Sequence, residues 1–99
     1  MNIKITEAGL EYLEKKQYKV ITLEIKTSGG GCCPTFEMEE IYFNPPQKLD
    51  DFNEFEVNNL KIYIDKKAKV ITPALQFDAE KKLFFTNLIV KGLSLKKQD

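Results

Sequence analysis

An alternating hairpin in the middle of the chain is the feature that most constrains the fold. Phe52 to Val57 and Leu60 to Asp65 alternate in character, and Asn58-Asn59 separates the two runs. Asparagine tolerates the positive φ that the central residues of a two-residue hairpin turn require. The pattern therefore predicts an antiparallel pair of strands here.

The rest of the chain predicts short strands and one helix. Asn2 to Ile5 is a strand pattern, and Thr6 is a good N-cap for a helix that ends near Lys16. Further strands are predicted at Tyr18 to Lys26 and at Phe36 to Phe43. A second hairpin is predicted from Leu75–Phe77 and Leu83–Val90, with a turn over Asp78–Lys82.

Together these elements predict a mainly β fold with one N-terminal helix and some seven short strands. A small twisted β-sandwich is the expected architecture, and a half-open barrel is the alternative. The aromatic side chains are expected in its core, since they supply much of a small domain's burial; they are Tyr42, Phe43, Phe77, Phe84 and Phe85.

The size and charge of the chain limit its class. Its 99 residues suit a single domain, 1–99, and 42% hydrophobic with 30% charged residues is typical of a folded protein. No apolar run reaches the roughly 18 residues that span a bilayer, and no signal sequence is evident, so we expect a cytoplasmic protein without a membrane partner. Every basic residue is lysine, and without arginine we expect no nucleic-acid partner.

Three glycines that lead directly into two cysteines mark the candidate site. Cys32 and Cys33 are the only cysteines, and the chain has no histidine. The segment from Ser28 to Thr35 is predicted to be a surface loop. Its backbone is shaped by Gly29, Gly30 and Gly31, which permit φ values that a side chain forbids, and by Pro34, which pushes Cys33 toward an extended conformation.

Adjacent cysteines cannot act as a structural staple. Their Cα atoms lie about 3.8 Å apart across a trans peptide, whereas disulfides usually need roughly 4.4–6.8 Å. A Cys32–Cys33 disulfide would therefore be strained and easily reduced. A nest of glycine N–H groups would stabilise a thiolate, so we expect an accessible thiol with a pKa below the ordinary value of about 8.5.

The order of the elements resembles a known family. An Ile-Lys-Ile-Thr strand and Thr-capped helix, then a strand ending in Gly-Gly-Gly-Cys, then Phe55 to Asp65 and a final apolar hairpin are similar to HesB/IscA-like proteins of iron–sulfur cluster biogenesis. The likeness covers roughly residues 1 to 90. It implies a HesB-like sandwich, with Cys32 at the position of the family's first cluster or metal ligand. Asp65 takes no ligand role from it.

The chain departs from that family at two places. The usual C-terminal Cys-x-Cys is missing from the tail Gly92 to Asp99, and Cys33-Pro34 replaces a small polar residue and glycine. The chain looks similar to a divergent branch whose loop carries a Cys-Cys pair, or a selenocysteine in place of one cysteine.

Three functions remain open on these residues. The first is thiol redox chemistry at Cys32 and Cys33, as an oxidoreductase or redox sensor with a thiol partner. The second is an iron–sulfur cluster or soft metal ion held between subunits, because one chain offers two sulfurs and a tetrahedral site needs four ligands. That function would need a homo-oligomer and a partner in iron–sulfur assembly. The third is a domain without chemistry that acts through protein contacts.

Overall fold

The computed structural model describes residues 2–30 and 33–95; at positions 30 and 33–35 it describes the backbone. The chain there forms nine strands, one α-helix and one turn of 3-10 helix at Leu49–Asp51. The helix α1 is Glu7–Lys16. The strands are β1 (Ile3–Ile5), β2 (Val20–Gly30), β3 (Cys33–Tyr42), β4 (Phe52–Val57), β5 (Leu60–Asp65), β6 (Lys69–Val70), β7 (Leu75–Lys81), β8 (Thr86–Lys91) and β9 (Leu93–Ser94).

The strands form a large sheet, a smaller sheet and a short pair. The large sheet has the order β3-β2-β5-β4, the smaller one β1-β7-β8, and β6 pairs with β9. Most neighbours are antiparallel, but β2 pairs with β5 and β1 pairs with β7 in parallel. The mainly β fold with one helix is as predicted. The two parallel pairings were not predicted, because they join segments that are distant in the sequence.

The core lies between the two larger sheets. The large sheet contributes alternate residues of its two central strands, such as Ile21 and Leu23 of β2 and Ile62 and Ile64 of β5. The remaining side chains of this buried cluster come from the hairpin, the smaller sheet and the helix; they are Leu60, Leu75, Phe77, Leu88 and Leu13. Apolar side chains at alternate positions of β2 and β5 thus meet those of the smaller sheet and the helix in one core.

The central hairpin is confirmed. Asn58 and Asn59 have φ values of 51° and 65°, and Val57 pairs with Leu60. Both values lie in the left-handed region, where asparagine is among the few residues that fit without much strain.

The start of α1 is tied to the smaller sheet through Thr6. Its hydroxyl accepts the N–H of Gly9 at 3.1 Å, which caps the helix as predicted, and donates to Asp78 Oδ1 at 2.6 Å. The Thr6 backbone N–H also donates to the carbonyl of Phe77. One threonine therefore caps the helix and links it to β7.

Asp65 closes the end of β5 inside the large sheet. Its side chain is 3% exposed, and its two oxygens accept the backbone N–H groups of Ile25 and Lys67, each at 2.9 Å. The β2–β5 ladder ends at Leu23 and Ile64. The Asp65 carboxylate therefore takes the place of the backbone carbonyl that would otherwise accept the N–H of Ile25 from β2. Beyond that point β2 continues with β3 alone.

Two predicted segments differ from the structure. The predicted loop over Ser28–Thr35 is mostly strand, because backbone pairing continues from Lys26–Met38 through Ser28–Phe36 to Gly30–Cys33. The second hairpin turns later than predicted, since Asp78 to Lys81 stay paired with β8. Polar and glycine-rich sequence suggested turns in both places, but strand pairing needs only the backbone.

Part of the predicted aromatic core is wrong. Phe77 is fully buried, and Tyr42 and Phe43 are half-buried, but Phe84 and Phe85 are 92% and 58% exposed. They lie past the last β7–β8 pair, where neither sheet covers them. Within residues 2–30 and 33–95, no helix has the length and apolar character needed to cross a membrane.

Replacing Asp65 by asparagine should lower the free energy of unfolding by about 1–3 kcal/mol. The amide keeps one acceptor but presents an N–H₂ donor to a second backbone N–H in a buried site. Chemical denaturation of wild type and Asp65→Asn measures the loss. Asp51→Asn, at an exposed carboxylate of the same region, is the matched control, and equal stabilities for both variants would contradict the role given to Asp65.

Acid should weaken the link between α1 and β7. The hydrogen bond from Thr6, aided by the Ala79 N–H and by Lys91, lowers the pKa of Asp78 below its ordinary 3.8. A lowered folded-state pKa gives stability that is complete above the unfolded value and is lost as pH falls through the folded one. The midpoint temperature of thermal unfolding of the wild type should therefore fall below about pH 4.

The Asp78→Asn variant tests that assignment. It should lose part of this acid dependence, whereas the exposed Asp50→Asn should keep it. An unchanged slope of unfolding free energy against pH in Asp78→Asn would show that the link does not involve this carboxylate.

Candidate functional site

A two-stranded ribbon carries the cysteine segment away from the large sheet. Past Ile25, β2 pairs only with β3, and the last described pair joins Gly30 to Cys33. The five steps along the chain from Ile25 to Gly30 span about 16 Å at 3.3 Å per residue. Cys33 therefore begins its strand at the outer end of a projecting hairpin.

The ribbon contributes little to the core. Lys26, Thr27, Ser28 and Gly29 are all exposed, and Met38 opposite Lys26 is 49% exposed. Backbone pairing with β3 holds this segment, since its side chains bury little apolar surface. The strand pair that leads to Cys33 is thus separate from the packed interior.

A β-bulge lies next to the Gly30–Cys33 pair, at the outer end of the ribbon. Between the Ser28–Phe36 and Gly30–Cys33 pairs, β2 has one residue, Gly29, and β3 has two, Pro34 and Thr35. Gly29 has φ of 91°, in the region that favours glycine. Pro34 has no N–H to offer a ladder, and a bulge on an edge strand is where proline is tolerated.

These observations reach only part of the predicted site. The positive φ expected in the glycine run is found at Gly29, and the backbone of Gly30, Cys33 and Pro34 is placed in strands. Gly31 and Cys32 lie outside the described residues. The N–H nest and the accessibility of the two thiols therefore stay predictions.

Charged side chains on the ribbon pair with one another. Lys26 Nζ lies 2.7 Å from Glu40 Oε2, with both side chains about half-exposed. The hydrogen bond from Lys26 to Glu40 raises the pKa of the lysine. Glu24 accepts a hydrogen bond from the Tyr42 hydroxyl at 3.2 Å. Since the charge of Lys26 is matched by Glu40, it is a poor source of stabilisation for a thiolate.

The acidic residues of β3 lie mostly at the surface. Glu39 and Glu40 are exposed and Glu37 is half-buried, in accord with a solvated strand face. Among the side chains that the structure describes, which do not include those of Cys32 and Cys33, no group of three or more histidine, cysteine, aspartate or glutamate residues is arranged to hold a metal ion.

Sequence reasoning missed the position of Asp65. The buried carboxylate lies where the ribbon leaves the sheet and accepts the backbone N–H of Ile25, at the base of the ribbon. Its only sequence signal is an acidic residue that ends the apolar strand Leu60 to Ile64.

A shallow groove runs between the edges of the two larger sheets. It has a volume of about 360 Å³ and is lined by β3 residues such as Glu39 and Ile41 and by Leu88 and Val90 of β8. At one end Tyr18 stacks on Phe43, with ring centroids 4.0 Å apart. Glu39 of β3 and Val90 of β8 thus line the same groove.

Comparison with solved structures supports the fold. Escherichia coli SufA, described as involved in biosynthesis of iron–sulfur clusters, is similar over 92% of this chain and 80% of that chain, with 14% identity and a TM-score of 0.57. At that identity the likeness concerns the fold alone, and it supports the predicted HesB-like architecture. No curated protein matches the chain significantly.

Comparison with protein families gives a sequence-level relation. The model described as "CC/Se motif containing family" matches residues 1–93, and Cys32-Cys33 is the chain's only pair of adjacent cysteines. The family identified by sequence is thus defined by a CC/Se motif, while the relation to HesB/IscA-like proteins is one of fold. This chain belongs to the CC/Se motif containing family.

Proposed function

We propose that Cys32 and Cys33 form a reactive dithiol that exchanges with disulfides and acts as a redox sensor. The observation that carries the proposal is the match of residues 1–93 to a family described by its CC/Se motif. The backbone supports it, because β3 starts at Cys33 on the end of the ribbon farthest from the sheet. Adjacent cysteines give no long-range cross-link, so the pair does not serve as a structural staple, and thiol reactivity is a use that two neighbouring sulfurs fit.

The exchange consists of two thiol–disulfide steps. One cysteine thiolate attacks a disulfide R–S–S–R, which forms a mixed disulfide and releases RS⁻. The second cysteine, after loss of its proton, attacks the protein sulfur of the mixed disulfide, which forms the Cys32–Cys33 bond and releases a second RS⁻. The two thiol protons end on the two RSH products, so the dithiol is oxidised by two electrons and R–S–S–R is reduced by two.

Strain in the product sets the direction of this equilibrium. Neighbouring Cα atoms are closer than a relaxed disulfide prefers, so the dithiol is favoured until disulfide greatly exceeds thiol. In the reducing cytoplasm that the sequence predicts, the pair rests as two thiols. It would become oxidised only under strong oxidative stress and would then pass its disulfide to a thiol partner.

A glutathione redox titration tests the exchange. Wild type should lose both free thiols, and its mass should fall by that of two hydrogens, only where oxidised glutathione is in large excess. Cys32→Ser and Cys33→Ser should each stop at a mixed disulfide with glutathione. Thiols that stay unreactive at every ratio until the protein is denatured would contradict the proposal.

The rate of alkylation against pH should identify the nucleophile. At least one thiol should show a pKa below about 8.5, because glycine N–H groups favour the thiolate. Gly29→Ala should move that pKa toward the ordinary value, since alanine is strained at the positive φ that Gly29 adopts. Ser28→Ala, a neighbouring exposed residue, is the control and should leave the rate profile unchanged.

A second candidate function is binding of an iron–sulfur cluster or soft metal ion between two copies. The fold likeness to SufA, a protein described as involved in biosynthesis of iron–sulfur clusters, favours it. One chain provides two sulfurs and no imidazole, so a four-ligand site is complete only if a second chain provides two more.

Anaerobic purification separates the two functions. Cluster binding predicts a visible absorption band, with iron and acid-labile sulfide in a dimer, all lost in Cys32→Ser. The thiol function predicts a colourless protein that retains two titratable thiols per chain. Light scattering on the same sample supplies the oligomeric state.

A further inference from the structure

The β7–β8 hairpin ends in an apolar tip. The Lys82 N–H donates to the carbonyl of Phe85 at 2.7 Å, which closes a turn with Leu83 and Phe84 at its centre. Leu83 is 91% exposed and Phe84 is 92% exposed, and Phe85 behind them is 58% exposed. Three consecutive large apolar side chains thus protrude from the end of a sheet.

Turn formation does not explain these residues. The Asn58-Asn59 turn in the same chain also has two central residues, and it uses side chains that suit positive φ. Leu83 and Phe84 have negative φ and bring no such advantage. Runs of exposed apolar residues lower solubility, so their presence at a tip indicates a binding role.

Lysines line a groove beside the base of the tip. A groove of about 490 Å³ separates the hairpin from α1, and its walls include Phe84 and Phe85 as well as three lysines, Lys15, Lys16 and Lys81, against one glutamate, Glu11. Lys82 lies beside the turn and pairs with Glu80 at 2.7 Å. The apolar tip therefore lies next to a basic collar, the group Lys15, Lys16, Lys81 and Glu11, which has a net positive charge.

We propose that this tip binds the surface of an anionic lipid bilayer. Leu83 and Phe84 would enter the boundary between headgroups and acyl chains, and Lys15, Lys16 and Lys81 would contact the anionic headgroups. A second copy docked on the same patch would bring the two sets of lysines together, so charge argues against self-association there. A lipid surface can also accept a protruding apolar tip without a preformed pocket, which a protein partner would have to provide.

Surface binding is compatible with the lack of a spanning helix within the described residues. The sequence suggested no membrane partner because it contains no bilayer-length apolar run, a criterion that tests spanning segments only. A three-residue apolar tip with a basic collar gives reversible attachment.

Vesicle co-sedimentation tests the proposal with the full-length protein. Wild type should sediment with vesicles of phosphatidylglycerol and phosphatidylcholine, and at least tenfold less with phosphatidylcholine alone. The double variant Leu83→Ser/Phe84→Ser should lose binding by at least tenfold on the mixed vesicles. Lys15→Gln/Lys16→Gln should lower binding on mixed vesicles and change little on neutral ones.

Ile71→Ser is the matched control, because Ile71 is 70% exposed at a different place on the surface and should leave vesicle binding unchanged. Circular dichroism confirms that each variant is folded. Absence of wild-type binding to anionic vesicles would overturn the proposal and leave a protein pocket as the partner of the tip. Equal binding by wild type and the Leu83→Ser/Phe84→Ser variant would overturn it as well.

Discussion

The carboxylate of Asp65 determines where the large sheet ends and the ribbon begins. β5 cannot follow β2 farther, and the side chain satisfies the N–H of Ile25 that the strand no longer reaches. A buried backbone donor without a partner would be costly, so this one residue permits β2 to continue outward. The projecting position of Cys33 rests on that contact.

The cysteine ribbon and the apolar tip belong to different sheets. Glu39 of β3 and Val90 of β8 line one groove, at the neighbouring edges of the two sheets. From Glu39, β3 leads to Cys33 within the large sheet, and from Val90, β8 leads to Leu83 and Phe84 within the smaller one. The two features are therefore held by separate strand ladders.

Local patterns predicted local structure, and they did so best where side chain and backbone requirements agree. Thr6 capped its helix and Asn58-Asn59 formed its turn, since each depends on a few neighbouring atoms. The parallel β2–β5 pairing and the buried place of Asp65 depend on distant segments, which periodicity does not encode. The prediction that Phe84 lies in the core was wrong, because aromatic residues are assigned to the core by default and Phe84 is exposed. The cysteine pair was identified as a candidate site from residue types alone, because the chain has two adjacent cysteines and no histidine.

The start of the ribbon at Ile25 marks a boundary in packing. Before it, buried isoleucines and leucines tolerate little change, because each contributes to one close-packed interior. Beyond it, the ribbon is held by backbone pairing, which every residue type except proline can provide in full. Its exposed residues, such as Lys26, Thr27 and Ser28, can therefore change without a compensating change in the core, so the ribbon and the packed interior are open to separate natural selection.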